Sequence, residues 1–191
     1  MQQIWSDEEL RAHWVLNVSE LWLLKGITEQ RRLTLCYYLK YFQLHAQFPK
    51  SLDLASPQVL KFLASQIAAT DNDGLAVVPK RTDRFYRRQV MSFLDIAHFD
   101  KEARALFLDW LIEIVLPTAP NQATLDAVIT EWFLSNRMIR PKDKAEANLL
   151  ARAERRFERI VFARITERLA DDQRACLDAL LETEDGFSPF A

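Results

Sequence analysis

Apolar residues recur along this chain at i, i+3, i+4 and i+7, the spacing of one helical face, and polar turn residues interrupt them at short intervals. Ser6, with Glu9 three residues on, forms a capping box for a first helix that reaches Val15. Ser19 is placed to cap a short helix from Leu21 to Lys25, which Gly26 stops. Thr28 opens a long helix to about Gln47, where Phe48-Pro49 ends it. Leu33, Cys36, Tyr37, Lys40, Tyr41 and Leu44 trace its inner stripe. Ser56-Pro57 starts the next helix, an N-cap followed by proline in the first turn, with Val59, Leu60, Phe62, Leu63 and Ile67 on the buried side.

Asp71-Asn72-Asp73-Gly74 reads as a turn and Leu75 to Pro79 as an extended linker. A helix from Thr82 to about Ile96 follows, with Phe85, Val90, Phe93 and Leu94 assigned to the core. Asp100 caps a helix to Leu116, which Pro117 and Pro120 break, and Asn121 caps another from Gln122 to Asn136. After Arg140-Pro141 a charged amphipathic helix spans Lys142 to Leu169, and Asp171 starts a last one. The pattern predicts an all-α module of about eight helices without internal repeats. Residues 1–170 form that module, divisible into subdomains 1–98 and 99–170. Residues 171–191 are expected to begin a further helical segment of a longer protein.

Composition narrows the chemistry. With 191 residues, 49% of them apolar, the chain can bury a sizeable core. Its three glycines, Gly26, Gly74 and Gly186, lie too far apart for any glycine-rich phosphate loop. Cys36 and Cys176, with His13, His45 and His98, show no zinc spacing, so no metal and no cofactor is expected in this segment. Asp7, Glu8 and Glu9 stand where a secretory signal needs cations, and Leu106 to Leu116 is too short and too charged to span a bilayer. No membrane partner is expected. Asp95, Asp100, Asp109 and Glu113 have no His or Cys placed to act with them, so no catalytic residue is assigned.

A net charge of -2 gives no whole-chain attraction to a polyanion, but the charge is uneven. Residues 80–168 carry 17 basic against 13 acidic side chains, and residues 169–191 one against six. The densest cluster is Lys80, Arg81, Arg84, Arg87 and Arg88, opposed only by Asp83, at the start of a helix. Cations there oppose the partial positive charge of the free N–H groups, an arrangement that a phosphate backbone rewards. Tyr86 and Gln89 stand beside them, within reach of sugar or base edges. Two helices joined by a linker, the second with a basic start, give a helix-turn-helix-like layout with an over-long connection. A second cluster, Arg137, Arg140, Lys142 and Lys144, flanks Pro141, and a third, Arg152 to Arg168, alternates with Glu154, Glu158 and Glu167 along one helix. Each cluster has an alternative reading as a solvated face paired to acids elsewhere.

Four stretches carry a resemblance. Arg32 to Pro49 (RLTLCYYLKYFQLHAQFP), Ser56 to Ile67 (SPQVLKFLASQI), Thr82 to Phe99, and Trp132 to Pro141 (WFLSNRMIRP) with the Arg-rich helix and DDQRACLDALL beyond it stand in order over some 150 residues. Together they resemble the N-terminal region of the large replicative transposases of the Tn-three family, which mobilise bacterial transposons through cointegrates. The family's His falls on Tyr86, the Arg of its Ile-Arg pair on Met91, its following Gly on Asp95, and its basic residue before Phe-Pro on Gln47. The resemblance implies a non-catalytic, cytoplasmic module that recognises terminal inverted repeats in double-stranded DNA. The Asp-Asp-Glu strand-transfer site would lie beyond residue 191. Its partners would be transposon ends, the remainder of the transposase chain and, through that parent protein, a second copy. Lys80, Arg81, Arg84, Tyr86, Arg87, Arg88, Gln89, Arg137, Arg140, Lys142 and Lys144 are the expected DNA-binding residues. The alternative is a helical protein-interaction or structural module without DNA contact.

Overall fold

Side-chain caps and prolines set most helix limits in the computed structural model, which describes residues 4–67, 75, 79–170 and 173. The protein is all-α: among the described residues there are eight α-helices and no strand. They are α1 (Asp7–Trp14), α2 (Val18–Leu23), α3 (Glu29–His45), α4 (Pro57–Gln66), α5 (Lys80–Phe93), α6 (Lys101–Trp110), α7 (Gln122–Ser135) and α8 (Asp143–Arg168). Ser6 and Glu9 form the expected reciprocal cap of α1, and Asp100 and Asn121 accept from the N–H groups of Ala103 and Thr124. None of these helices is long and apolar enough to cross a membrane.

Several boundaries differ from the sequence pattern; α2 ends at Leu23 rather than Lys25 and α5 at Phe93 rather than Ile96. Asn17, not Ser19, caps α2, because its side chain accepts from Glu20 N at 2.9 Å while Glu20 returns a bond to Asn17 N at 2.8 Å. Helix α5 starts at Lys80 rather than Thr82, since Pro79, whose ring fixes φ, already offers its carbonyl to Asp83 N. The helix from Lys101 is regular only to Trp110; Leu111–Val115 is a π-helical stretch and Leu116–Thr118 a 3-10 turn. Pro117 lacks an N–H and its ring collides with the carbonyl four residues back, which loosens the preceding turn. The turn at 71–74, most of the linker 75–79 and the helix expected from Asp171 fall outside the described residues.

The chain divides into two compact units, Met1–Ala103 with Asn121–Lys142, and Arg104–Pro120 with Asp143–Ala191. A cut at 98/99 would sever α7 from the first unit. There Ala97 N donates to Arg137 O, Ile139 N to Ala97 O, and Arg140 N to Ala46 O. In the first unit α3 is the central helix, with α1, α4, α5 and α7 packed against it. Leu35, Cys36, Tyr37, Tyr38, Leu39 and Phe42 are all buried, so α3 is covered nearly all round. In the second unit the π-helical stretch packs on α8, with Phe107, Leu111 and Ala153 buried.

Burial on α3 has a chemical consequence. It pushes the Cys36 thiol and the Tyr37 phenol up to about 12, and Tyr38 to about 12 with help from its bond to Asp83. Because the fold favours the protonated forms, their contribution to stability is complete below pH 9 and is lost as pH rises through about 12. A Cys176→Ser variant is expected to leave Cys36 unreactive to an aromatic disulfide at pH 8 until denaturant is added. Rapid colour release from the folded protein would contradict that burial.

Candidate nucleic-acid interface

Helix α5 places the first basic cluster. Its inner side is set by Tyr86 and Val90, which enter the core against α3. At about 100° per residue, Arg84, Arg88, Arg81 and Phe85 then share the opposite side, and all four are exposed. Among the described residues no carboxylate pairs with Arg81, Arg84 or Arg88. The N-cap, Pro79, has no side chain to bond the first turn, and that turn holds a single acid, Asp83. Asp83 is already engaged: one oxygen accepts from the Tyr38 hydroxyl at 2.5 Å and the other from Arg87 Nε at 2.9 Å. The positive end of α5 therefore carries Lys80 and Arg81 with little local compensation, and Arg84 and Arg88 continue the exposed row over the next two turns.

Several expected contacts belong instead to the fold. The Arg87 guanidinium lies over the Phe48 and Tyr38 rings, 5.0 and 5.4 Å from their centroids, besides its pair with Asp83. Arg87 is thus a structural cation and not a free one. Tyr86 is 3% exposed, so its ring cannot reach a base edge. Gln89 is half-buried and its Oε1 is enclosed. Phe85, assigned to the core from spacing, is 51% exposed in the middle of the basic side. Phe93 is exposed as well.

The corner after α7 is also mostly internal structure. Arg140, with a side chain 10% exposed, donates to Asp126 and to the Thr130 hydroxyl at 2.6 Å each. Arg137 takes φ 51° after α7 and pairs with Asp95 at 3.1 Å on the surface. Gln47 Nε2 donates to Pro141 O at 2.7 Å, which ties the end of α3 to the same corner. Lys142 and Lys144 are exposed, Lys144 in the second unit. On α8 the arginines are exposed, and Arg156 pairs with Asp109 at 2.9 Å. Groups of three or more His, Cys, Asp or Glu side chains able to hold a metal ion do not occur among the described residues.

Residues 1–153 match the family described as a domain of unknown function, DUF4158. The chain belongs to the DUF4158 family. No relative among characterised proteins matches it. The DUF4158 match spans α1 to α7, and with them the whole α5 surface.

One backbone feature bears on the same stretch. Asp95 takes φ 55°, the left-handed region where a Cβ is strained. It closes α5 through Ile96 N, which donates to Met91 O at 2.8 Å. Asp95→Gly is expected to raise stability by up to about 1 kcal/mol, because glycine adopts this conformation freely and the exposed pair with Arg137 contributes little. Urea denaturation measures the change. A loss of more than about 1 kcal/mol would mean that the Arg137 pair outweighs the backbone strain.

Proposed function

We propose that this chain is the DNA-binding module of a transposase and recognises the terminal inverted repeats of a transposon. The observation that carries the reading is the exposed row Arg81, Arg84 and Arg88, which runs from the first turn of α5 into its third, with the one acid of the first turn engaged elsewhere. Exposed guanidinium groups and the free N–H groups of the first turn are both donors, which suits phosphate oxygens and guanine edges. Phe85, exposed between them, offers an apolar contact for a thymine methyl or a sugar. Lys80 adds a further cation, and Lys142 and Lys144 would contact backbone outside this row.

The resemblance to the Tn-three family adds independent support. Asp95 occupies the place of that family's Gly, and its left-handed backbone accounts for a glycine there. On this reading the module contributes no catalytic group, metal or cofactor. Strand transfer would belong to the remainder of a transposase chain, through which two copies could act together on two transposon ends.

The test is fluorescence anisotropy of a duplex carrying the terminal repeat, beside a scrambled duplex, at several salt concentrations, with the chain and its full parent protein. Tighter binding to the repeat is expected, with log K falling by about 0.9 per log unit of salt for each phosphate engaged. Equal or absent binding to both duplexes favours a second reading, a helical protein-interaction module. That reading has its own observation: Val18, Leu21 and Trp22 form an exposed apolar patch on α2, and Lys25 covers the Trp22 ring at 4.6 Å.

A further inference from the structure

Beside the arginine row, in the first unit, lies a cavity of ≈ 330 Å³ between the turn before α3 and the first turns of α5. Its size is at the lower end of small-ligand sites. Arg31 of α3 and Arg81 of α5 both line it, and no acidic residue does among the described ones. Thr28 and Thr82 add hydroxyls. Thr28 is the N-cap of α3 but spends no side-chain bond on the helix, and α5 has no side-chain cap either, so neither helix start has a side-chain acceptor for its first N–H groups. Tyr86 lines it as well; burial pushes its phenol up and the charge of Arg31 pulls it the other way. Arg31 itself is exposed.

Two guanidinium groups from different helices and two hydroxyls, beside Ile27 and Phe85 and with no carboxylate among the described lining residues, suit a compact anion rather than a cation. We propose that this cavity binds one phosphate group through Arg31 and Arg81, and that in the protein's working state the group is a backbone phosphate of duplex DNA lying along α5. The inference rests on the DNA-binding reading for the source of the phosphate, but not for the site itself. It assigns a role to Arg31, which no sequence cluster contains. Its place is defined by two helices, so it would fix the register of the duplex on α5 without choosing bases.

Two measurements on the full chain separate the possibilities. The first follows the arginine Nε–H and Thr28 amide signals of 15N-labelled protein as inorganic phosphate is added, for the wild type, Arg31→Gln and Arg31→Lys. Shifts at Arg31 and Arg81 are expected in the wild type, weakened in Arg31→Lys and abolished in Arg31→Gln. The second is the salt slope of binding to a scrambled duplex, expected to fall by about 0.9 in Arg31→Gln, one phosphate contact. Because Arg31 is exposed, folding of the variants is expected to survive, and the undisturbed Val90 and Phe42 signals report it. Duplex binding with an unchanged slope in Arg31→Gln, and no response to phosphate, would overturn the cavity and leave the α5 reading standing. Phosphate shifts lost in Arg31→Gln, with no duplex bound by the wild type, would keep the site and overturn its DNA source. Phosphate shifts of equal size in the wild type and Arg31→Gln would overturn the site.

Discussion

Reversing charge at Arg84 and Arg88 together, Arg84→Glu with Arg88→Glu, is expected to erase the preference for a terminal-repeat duplex over a scrambled one. Both side chains are exposed on α5 with no acid partner among the described residues, so the change removes no internal contact and the fold should persist. At about 1–3 kcal/mol for each guanidinium placed on a base, the loss is at least about 30-fold in affinity for the repeat. The salt slope should fall as well, because two cations are replaced by two anions facing the polyanion. Arg87→Gln is the internal control: its guanidinium is held by Asp83, Tyr38 and Phe48, so the variant should lose stability while keeping the preference. Retained discrimination in the Arg84/Arg88 double variant would move the interface off α5.

A second large effect is expected far from that surface. Glu20, 1% exposed, receives Lys40 Nζ at 2.8 Å, Gln43 Nε2 at 2.7 Å and its own helix cap, Asn17 N, at 2.8 Å. The carboxylate is buried but every direction around it is answered, which is the condition for keeping a charge in an interior. Glu20→Ala strands the Lys40 ammonium and is expected to destabilise the first unit by about 3–5 kcal/mol. Replacing both partners, Glu20→Leu with Lys40→Met, should recover much of that loss, since no buried charge is then left alone. Urea midpoints of the three proteins decide it. A single-variant cost under about 1 kcal/mol would mean that Lys40 finds water when Glu20 is gone.

These two sites show how the same residue types serve opposite ends. The cations of α5 that face outward carry the proposed contact, while Lys40, Arg87 and Arg140 are drawn into the packing of the first unit by Glu20, Asp83 and Asp126. Arg87 and Arg140 look equivalent to Arg84 and Arg137 when read along the chain. Arg87 and Arg140 are covered because Tyr38 of α3 with Phe48 beyond it, and Asp126 with Thr130 of α7, meet them.

Helix limits were legible wherever the bond that sets them spans only three or four residues: Ser6 with Glu9, Pro57 in the first turn of α4, Asp100, Asn121, and the break at Pro141. Lys40 fell correctly on the inner stripe of α3, whereas the burial of Leu35, Tyr38, Leu39 and Phe42 on its other faces did not follow from a single stripe. The basic start of α5 needed no structure to be found. What required the assembled fold was which of its cations remain free, that Phe85 points outward while Tyr86 and Gln89 turn in, and that Arg31 joins Arg81 across 50 positions of sequence. Capping and periodicity are satisfied within one turn of backbone and so are written locally. Whether a charge is spent or available depends on what another helix holds against it, and that is set only when α3, α5 and α7 meet.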